Sequence, residues 1–103
     1  MKQMNQRDAI HYIATRQEFR ASALEGWYAH YQTGALDKEN CERYLADTKA
    51  GIDYLVYSYS TPIAWHTAEG WYVVEQKFSS TTSKHQNYVR QAIAEANEME
   101  GAK

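Results

Sequence analysis

The run Ser79-Ser80-Thr81-Thr82-Ser83, followed by Lys84 and His85, is the densest local concentration of polar chemistry in the chain. A helix N-terminus presents free backbone N–H groups and a partial positive charge, a combination that attracts anions. With a helix starting here, Ser80, Thr81, Thr82 and Ser83 add hydroxyl donors, and Lys84 and His85 add charge. A phosphate, a nucleotide or an acidic side chain of a partner would fit such a place. The plainer reading is that one or two hydroxyls cap the helix and the others face water. Ser83 with Gln86 fits an S-x-x-Q capping box, and Thr81 or Thr82 are alternative caps. A phosphate loop would also bring glycines for close backbone approach, and none occurs between Gly70 and Gly101. His85 shares a helical face with Val89 and Ile93, which points to packing with one ring nitrogen bonded.

The second concentration is aromatic. Nine Tyr and three Trp stand against two Phe, so much of the apolar volume carries a polar atom that needs a partner when buried. Tyr57, Tyr59, Trp65 and Trp71 are candidate interface residues, on the expectation that one face of their hairpin is core and the other exposed. A stacking platform for bases would need flanking Lys and Arg. Between Ile52 and Gln76 there are none, and Asp53, Glu69 and Glu75 lie there instead.

No catalytic constellation emerges. Cys41 falls on an apolar helical stripe, where a buried structural thiol is expected. His11, His30 and His66 are scattered without metal-ligand spacing, so neither a metal site nor a cofactor is implied. The carboxylates, notably Asp37, Asp47, Asp53 and Glu75, form no pair with acid–base spacing. The expectation is a binding protein, not an enzyme.

The elements that must position these residues can be read from periodicity and punctuation. A helix is expected from about Gln6 to Phe19, with Asn5 as cap and Ala9, Ile10, Ile13 and Ala14 as its stripe. Arg20–Tyr31 reads as extended, bent at Gly26, with continued helix as the alternative. A second helix runs from an Asp37 cap to Gly51, its stripe Cys41, Tyr44, Leu45 and Thr48. Tyr54–Tyr59, Ile63–Thr67 and Trp71–Glu75 are strands joined by short connections, hence an antiparallel meander. The last helix presents His85, Val89, Ala92, Ile93 and Ala96 on one face and frays from about Asn97 to Lys103. The sum is an α+β fold: a three-to-four-stranded antiparallel sheet packed with about three helices, in one domain over residues 1–103.

Composition bounds the function classes. A net charge of −2 argues against a generic nucleic-acid binder, although Lys77, Lys84 and Arg90 leave a small basic patch open as a further alternative. One cysteine excludes an intrachain disulfide, no stretch approaches the roughly 18 apolar residues of a membrane span, and the polar start has no signal-peptide core. The expected address is the cytoplasm.

The segment Tyr57-Ser58-Tyr59-Ser60-Thr61-Pro62-Ile63-Ala64-Trp65, then Gly70-Trp71, then Phe78 through Gln86, resembles a family of small uncharacterised proteins of bacteriophages and other mobile elements. The resemblance covers about half the chain and implies a genetic origin but no catalytic residues. The leading expectation is therefore an accessory protein that binds a host or phage protein, with inhibition of a host defence as one form of it. An exposed edge strand in the meander would also permit a homodimer. The alternative is a nucleotide or small-anion binder that uses the Ser79–His85 helix start, with Trp65 or Trp71 stacking on a base.

Overall fold

The structure is a computed structural model that describes residues 6–21, 23–27 and 33–101. Its spine is a five-stranded antiparallel meander in the order β1 (Phe19–Ala21), β2 (Leu24–Trp27), β3 (Tyr54–Ser58), β4 (Thr61–Thr67), β5 (Gly70–Val73). Three helices, α1 (Gln6–Ala14), α2 (Lys38–Ala50) and α3 (Ser80–Gly101), complete the α+β fold. The segment read as extended after Arg20 contributes β1 and β2, which raises the strand count to five. Residues 22 and 28–31 of that segment lie outside the described residues.

β3 is the central strand, and all five of its residues are buried. Alternation sends Tyr54 and Val56 to a core built with α1 and α3, which includes Ile13, Phe19, Leu24, Val89 and Ala92. Leu55 and Tyr57 point the other way, into a second core with Tyr44 of α2, Ile52, Trp65 and Val74. Both faces of the hairpin are therefore covered, where one exposed face had been expected. The register of β3 against β4 shifts between Val56 and Tyr57, so that Ile63 is the extra residue of a bulge. A bulge turns neighbouring side chains to one side, and Ile63 and Ala64 both join the α1/α3 core. Pro62 sits one residue inside β4, next to that bulge, where a missing donor is tolerated.

Gly26 shows how tightly the first core is closed. A Cβ there would collide with the Tyr54 hydroxyl and with the Phe19 ring at 2.6 Å. No side chain fits between these strands, and the same absence of bulk lets Tyr54 reach across β2.

α1 ends five residues earlier than its periodicity suggests. Arg16 N–H donates to Ile13 O at 3.0 Å and Gln17 N–H to Tyr12 O at 2.8 Å, the paired bonds of a Schellman stop. Arg16 is the left-handed residue of that stop, with φ +53°. α2 begins and ends where the sequence places its caps. Asp37 accepts from Asn40 N–H at 2.9 Å, and Gly51 N–H closes on Asp47 O at 2.9 Å. Its docking stripe is narrower than expected: Tyr44 is buried, Cys41 is half-buried and Leu45 is 55% exposed.

Polar anchors supplement that thin apolar contact. Trp65 donates its indole N–H to Asp47 at 2.7 Å, and Arg43 donates to the same carboxylate oxygen at 2.8 Å. The Arg43 guanidinium lies 4.2 Å from the Tyr72 ring centroid, and the Tyr72 hydroxyl donates to Asn40 Oδ1 at 2.9 Å. The Tyr and Trp polar atoms noted in the composition are thus part of what fixes α2 to the sheet.

Candidate functional site

The hydroxyl run before α3 divides between inside and outside. Ser79 is the cap, accepting from Thr82 N–H at 3.3 Å, so neither Ser83, Thr81 nor Thr82 serves as one. Gln86, expected to close a capping box, instead donates to Val74 O at 2.6 Å and Gln76 O at 3.2 Å. These bonds tie the chain leaving β5 to the helix. Ser80, Thr81 and Lys84 are exposed, and Ser83 is half-buried.

Thr82 and His85 turn inward and meet Ser58 at the end of β3. Ser58 Oγ lies 2.7 Å from His85 Nδ1 and 3.1 Å from Thr82 Oγ1, and all three residues are buried. Burial, and then the charge of Lys84, push the His85 pKa below its ordinary value, which favours the neutral ring. The Ser79 hydroxyl donates to Thr82, and Ser58 bonds both Thr82 and His85 Nδ1, so these side chains form one continuous chain of hydrogen bonds. A serine beside a histidine is the beginning of a nucleophile and its base, but here the hydroxyl is sealed from solvent and engaged on both sides. The arrangement locks the start of α3 to the sheet. Of the six residues proposed for an anion cradle, two are consumed in this lock and do not face a ligand.

The aromatic candidates also separate. Trp65 and Tyr57 are buried in the α2-side core, Trp65 with the Tyr44 and Tyr72 ring centroids each 5.1 Å away. They are core residues, because both faces of the hairpin carry helices. Tyr59 is 60% exposed, at the tip of the β3–β4 hairpin. Trp71 is half-buried and lines a cleft.

That cleft, of about 290 Å³, lies between the free end of the β4–β5 hairpin, the turn after α1, and the far half of α3. Arg16, His66, Gly70, Trp71, Ile93, Ala96 and Asn97 line it. His66 pairs with Tyr54 on one side and Trp71 on the other, so three rings stand in a row across β3, β4 and β5. The His66 and Trp71 centroids are 5.2 Å apart at 73°, and those of Tyr54 and Trp71 are 6.0 Å apart at 85°. Perpendicular contacts of this kind fix the indole in place. Asp53, just before β3, accepts from His66 Nδ1 at 2.8 Å. An ionised carboxylate only accepts, so Nδ1 carries a proton in this pair, which orients the ring.

Arg16 reaches the same cleft from the Schellman turn. The buried Tyr54 hydroxyl donates to Gln17 O at 2.6 Å and so pins the residue next to Arg16. One tyrosine therefore braces both the arginine turn and the indole. Sequence reasoning missed this site because its residues come from separate elements with no common spacing. The one signal available was the placement of Asp53 and His66 at the same end of the β3–β4 hairpin. Among the described residues no group of three His, Cys, Asp or Glu is placed to hold a metal ion. No helix of the described residues is long and apolar enough to cross a membrane.

A family profile, that of the family of unknown function DUF8033, matches residues 11–102. The chain belongs to this family. The matched range contains Arg16, Asp53, His66, Trp71 and Asn97, and also the Ser58–Thr82–His85 lock. No curated protein and no solved structure matches the chain.

Proposed function

We propose that the protein binds a small ligand carrying an acidic group, held in the cleft between Arg16 and Trp71. The observation that carries this reading is the backbone of Arg16. A left-handed helix stop is ordinarily a glycine position, and an L-residue there costs about 1–2 kcal/mol. The residue kept at that cost is an arginine whose side chain lines a cleft, beside a histidine oriented by a carboxylate. A guanidinium recognises an anion, and an indole, an amide and an oriented imidazole beside it fix what is attached to that anion.

The reading as a binder of a host or phage protein has less support, since Tyr57 and Trp65 are core residues and, of the four candidates, Tyr59 alone is exposed. The discriminating experiment is a titration of the 15N-labelled protein with a panel of small acids, followed by amide and indole shifts. Saturable changes should gather at Arg16, His66, Gly70, Trp71 and Asn97. Changes gathered instead at Ser80–Lys84, or at Tyr59, would overturn the assignment.

A further inference from the structure

We infer that the ligand of this cleft is a mononucleotide: a planar heteroaromatic ring against Trp71, with one phosphate at Arg16. The inference rests on the binding reading above and adds the chemical class. Three features of the lining carry it. Trp71 is only half-buried, and its ring is fixed by perpendicular contacts with Tyr54 and His66, so it offers a rigid, preorganised surface to a flat partner. Ile93 and Ala96 of α3 supply apolar contact on the cleft wall. This combination suits a ring better than an extended aliphatic acid.

The polar groups then choose among flat anions. Asn97 offers both an amide donor and an amide acceptor. Groups of both kinds match the edge of a nucleobase, which carries donors and acceptors together. They have nothing to recognise on a plain phenyl ring. One arginine at one end matches a single phosphate, which a guanidinium binds through paired N–H bonds. The volume of about 290 Å³ lies at the small end of ligand pockets, with room for one base and its phosphate but not for a dinucleotide.

Calorimetry on the full chain, with AMP, adenosine, inorganic phosphate, benzoate and citrate as separate probes, tests the class. AMP should bind one per chain, with adenosine, phosphate and benzoate each at least about tenfold weaker. Arg16→Gly should weaken AMP at least about tenfold while its thermal transition stays at or above that of the parent. Trp71→Ala should weaken AMP by about tenfold or more, and Trp71→Phe, which keeps a ring, should retain most of the affinity. Adenosine binding as tightly as AMP, or Trp71→Ala binding AMP like the parent, would overturn the inference. Benzoate equal to AMP would overturn the mononucleotide and leave an aromatic acid in the cleft. Citrate bound at Arg16 with no response to AMP would overturn the class and leave the acidic-ligand reading standing. No response to any probe, together with an unchanged Arg16→Gly protein, would overturn both.

Discussion

Replacing Arg16 by glycine should leave the protein at least as stable while weakening its hold on the ligand, a pairing that few substitutions can produce. Arg16 sits at φ +53° with its N–H bonded to Ile13 O, so the turn is fixed by backbone bonds that glycine makes equally well. Relief of the left-handed conformation is worth about 1–2 kcal/mol. Against this, glycine widens the unfolded ensemble, at about 0.5–1 kcal/mol. The balance is a gain of about 0–1.5 kcal/mol. For a chain of this size that corresponds to a Tm at or above the parent's, by up to roughly 12 °C. The Arg16 side chain is exposed, so its loss opens no cavity. Urea and thermal unfolding of the parent and Arg16→Gly measure the first half, and ligand titration the second. A loss of more than about 1 kcal/mol would refute the reasoning, because it would show that the arginine side chain holds the fold together rather than serving the cleft.

Other expectations follow from the same structure. Tyr59 and Ser60 form the two-residue β3–β4 turn at φ +50° and +66°, both left-handed, where Asn-Gly is the favoured pair. The double change Tyr59→Asn with Ser60→Gly should raise stability by about 1 kcal/mol in urea unfolding, and a decrease would mean that the Tyr59 contact with the His85 ring outweighs the turn strain. Trp65→Phe removes the indole bond to Asp47 and should cost about 2 kcal/mol, read from the denaturation midpoint; an unchanged midpoint would show that this bond does not hold α2. The lowered pKa of His85 gives a pH signature. The unfolded imidazole titrates near 6.5 and the folded one below it, so the unfolded chain takes up the proton first. The contribution is complete above about pH 6.5 and is lost as the pH falls below that value toward the folded pKa, at no more than about 1.4 kcal/mol per pH unit. His85→Gln should flatten that part of the profile, and an identical slope in both proteins would rule out His85 as its source.

The parts of the fold that follow from local chemistry were legible in the sequence. The β-branched and aromatic run from Tyr54, the turn at Ala68–Gly70, and the Asp37 and Gly51 caps all specify their own structure and do so in the protein. What escaped is what tertiary contact decides. Nothing about Arg16 announces a helix stop, because arginine is a good helix former and takes the left-handed position only where Tyr54 anchors Gln17. Tyr59-Ser60 is likewise a poor turn sequence, selected by the register of the strands on either side. Trp65 reads as a surface aromatic until α2 is placed over its face with Asp47 ready for the indole. The cleft was hidden for a related reason. Residues 16, 53, 66, 71 and 97 have no shared period, and the meander makes neighbours of His66 and Trp71 only after two hairpins have closed. His85 was placed on the packed face of its helix by spacing alone, and there it lies, but its partner Ser58 belongs to a strand 27 residues earlier.

The three tryptophan indole N–H signals offer the most direct measurement of the central claim. In a titration of the 15N-labelled protein with AMP, the Trp71 signal should move in a saturable way, while that of Trp65, bonded to Asp47 in the opposite core, stays in place. Arg16→Gly should move the midpoint of that titration to at least about tenfold higher AMP. A Trp71 signal unmoved at saturating AMP and at saturating levels of the small-acid panel, or a Trp65 signal that moves in its stead, would contradict the account.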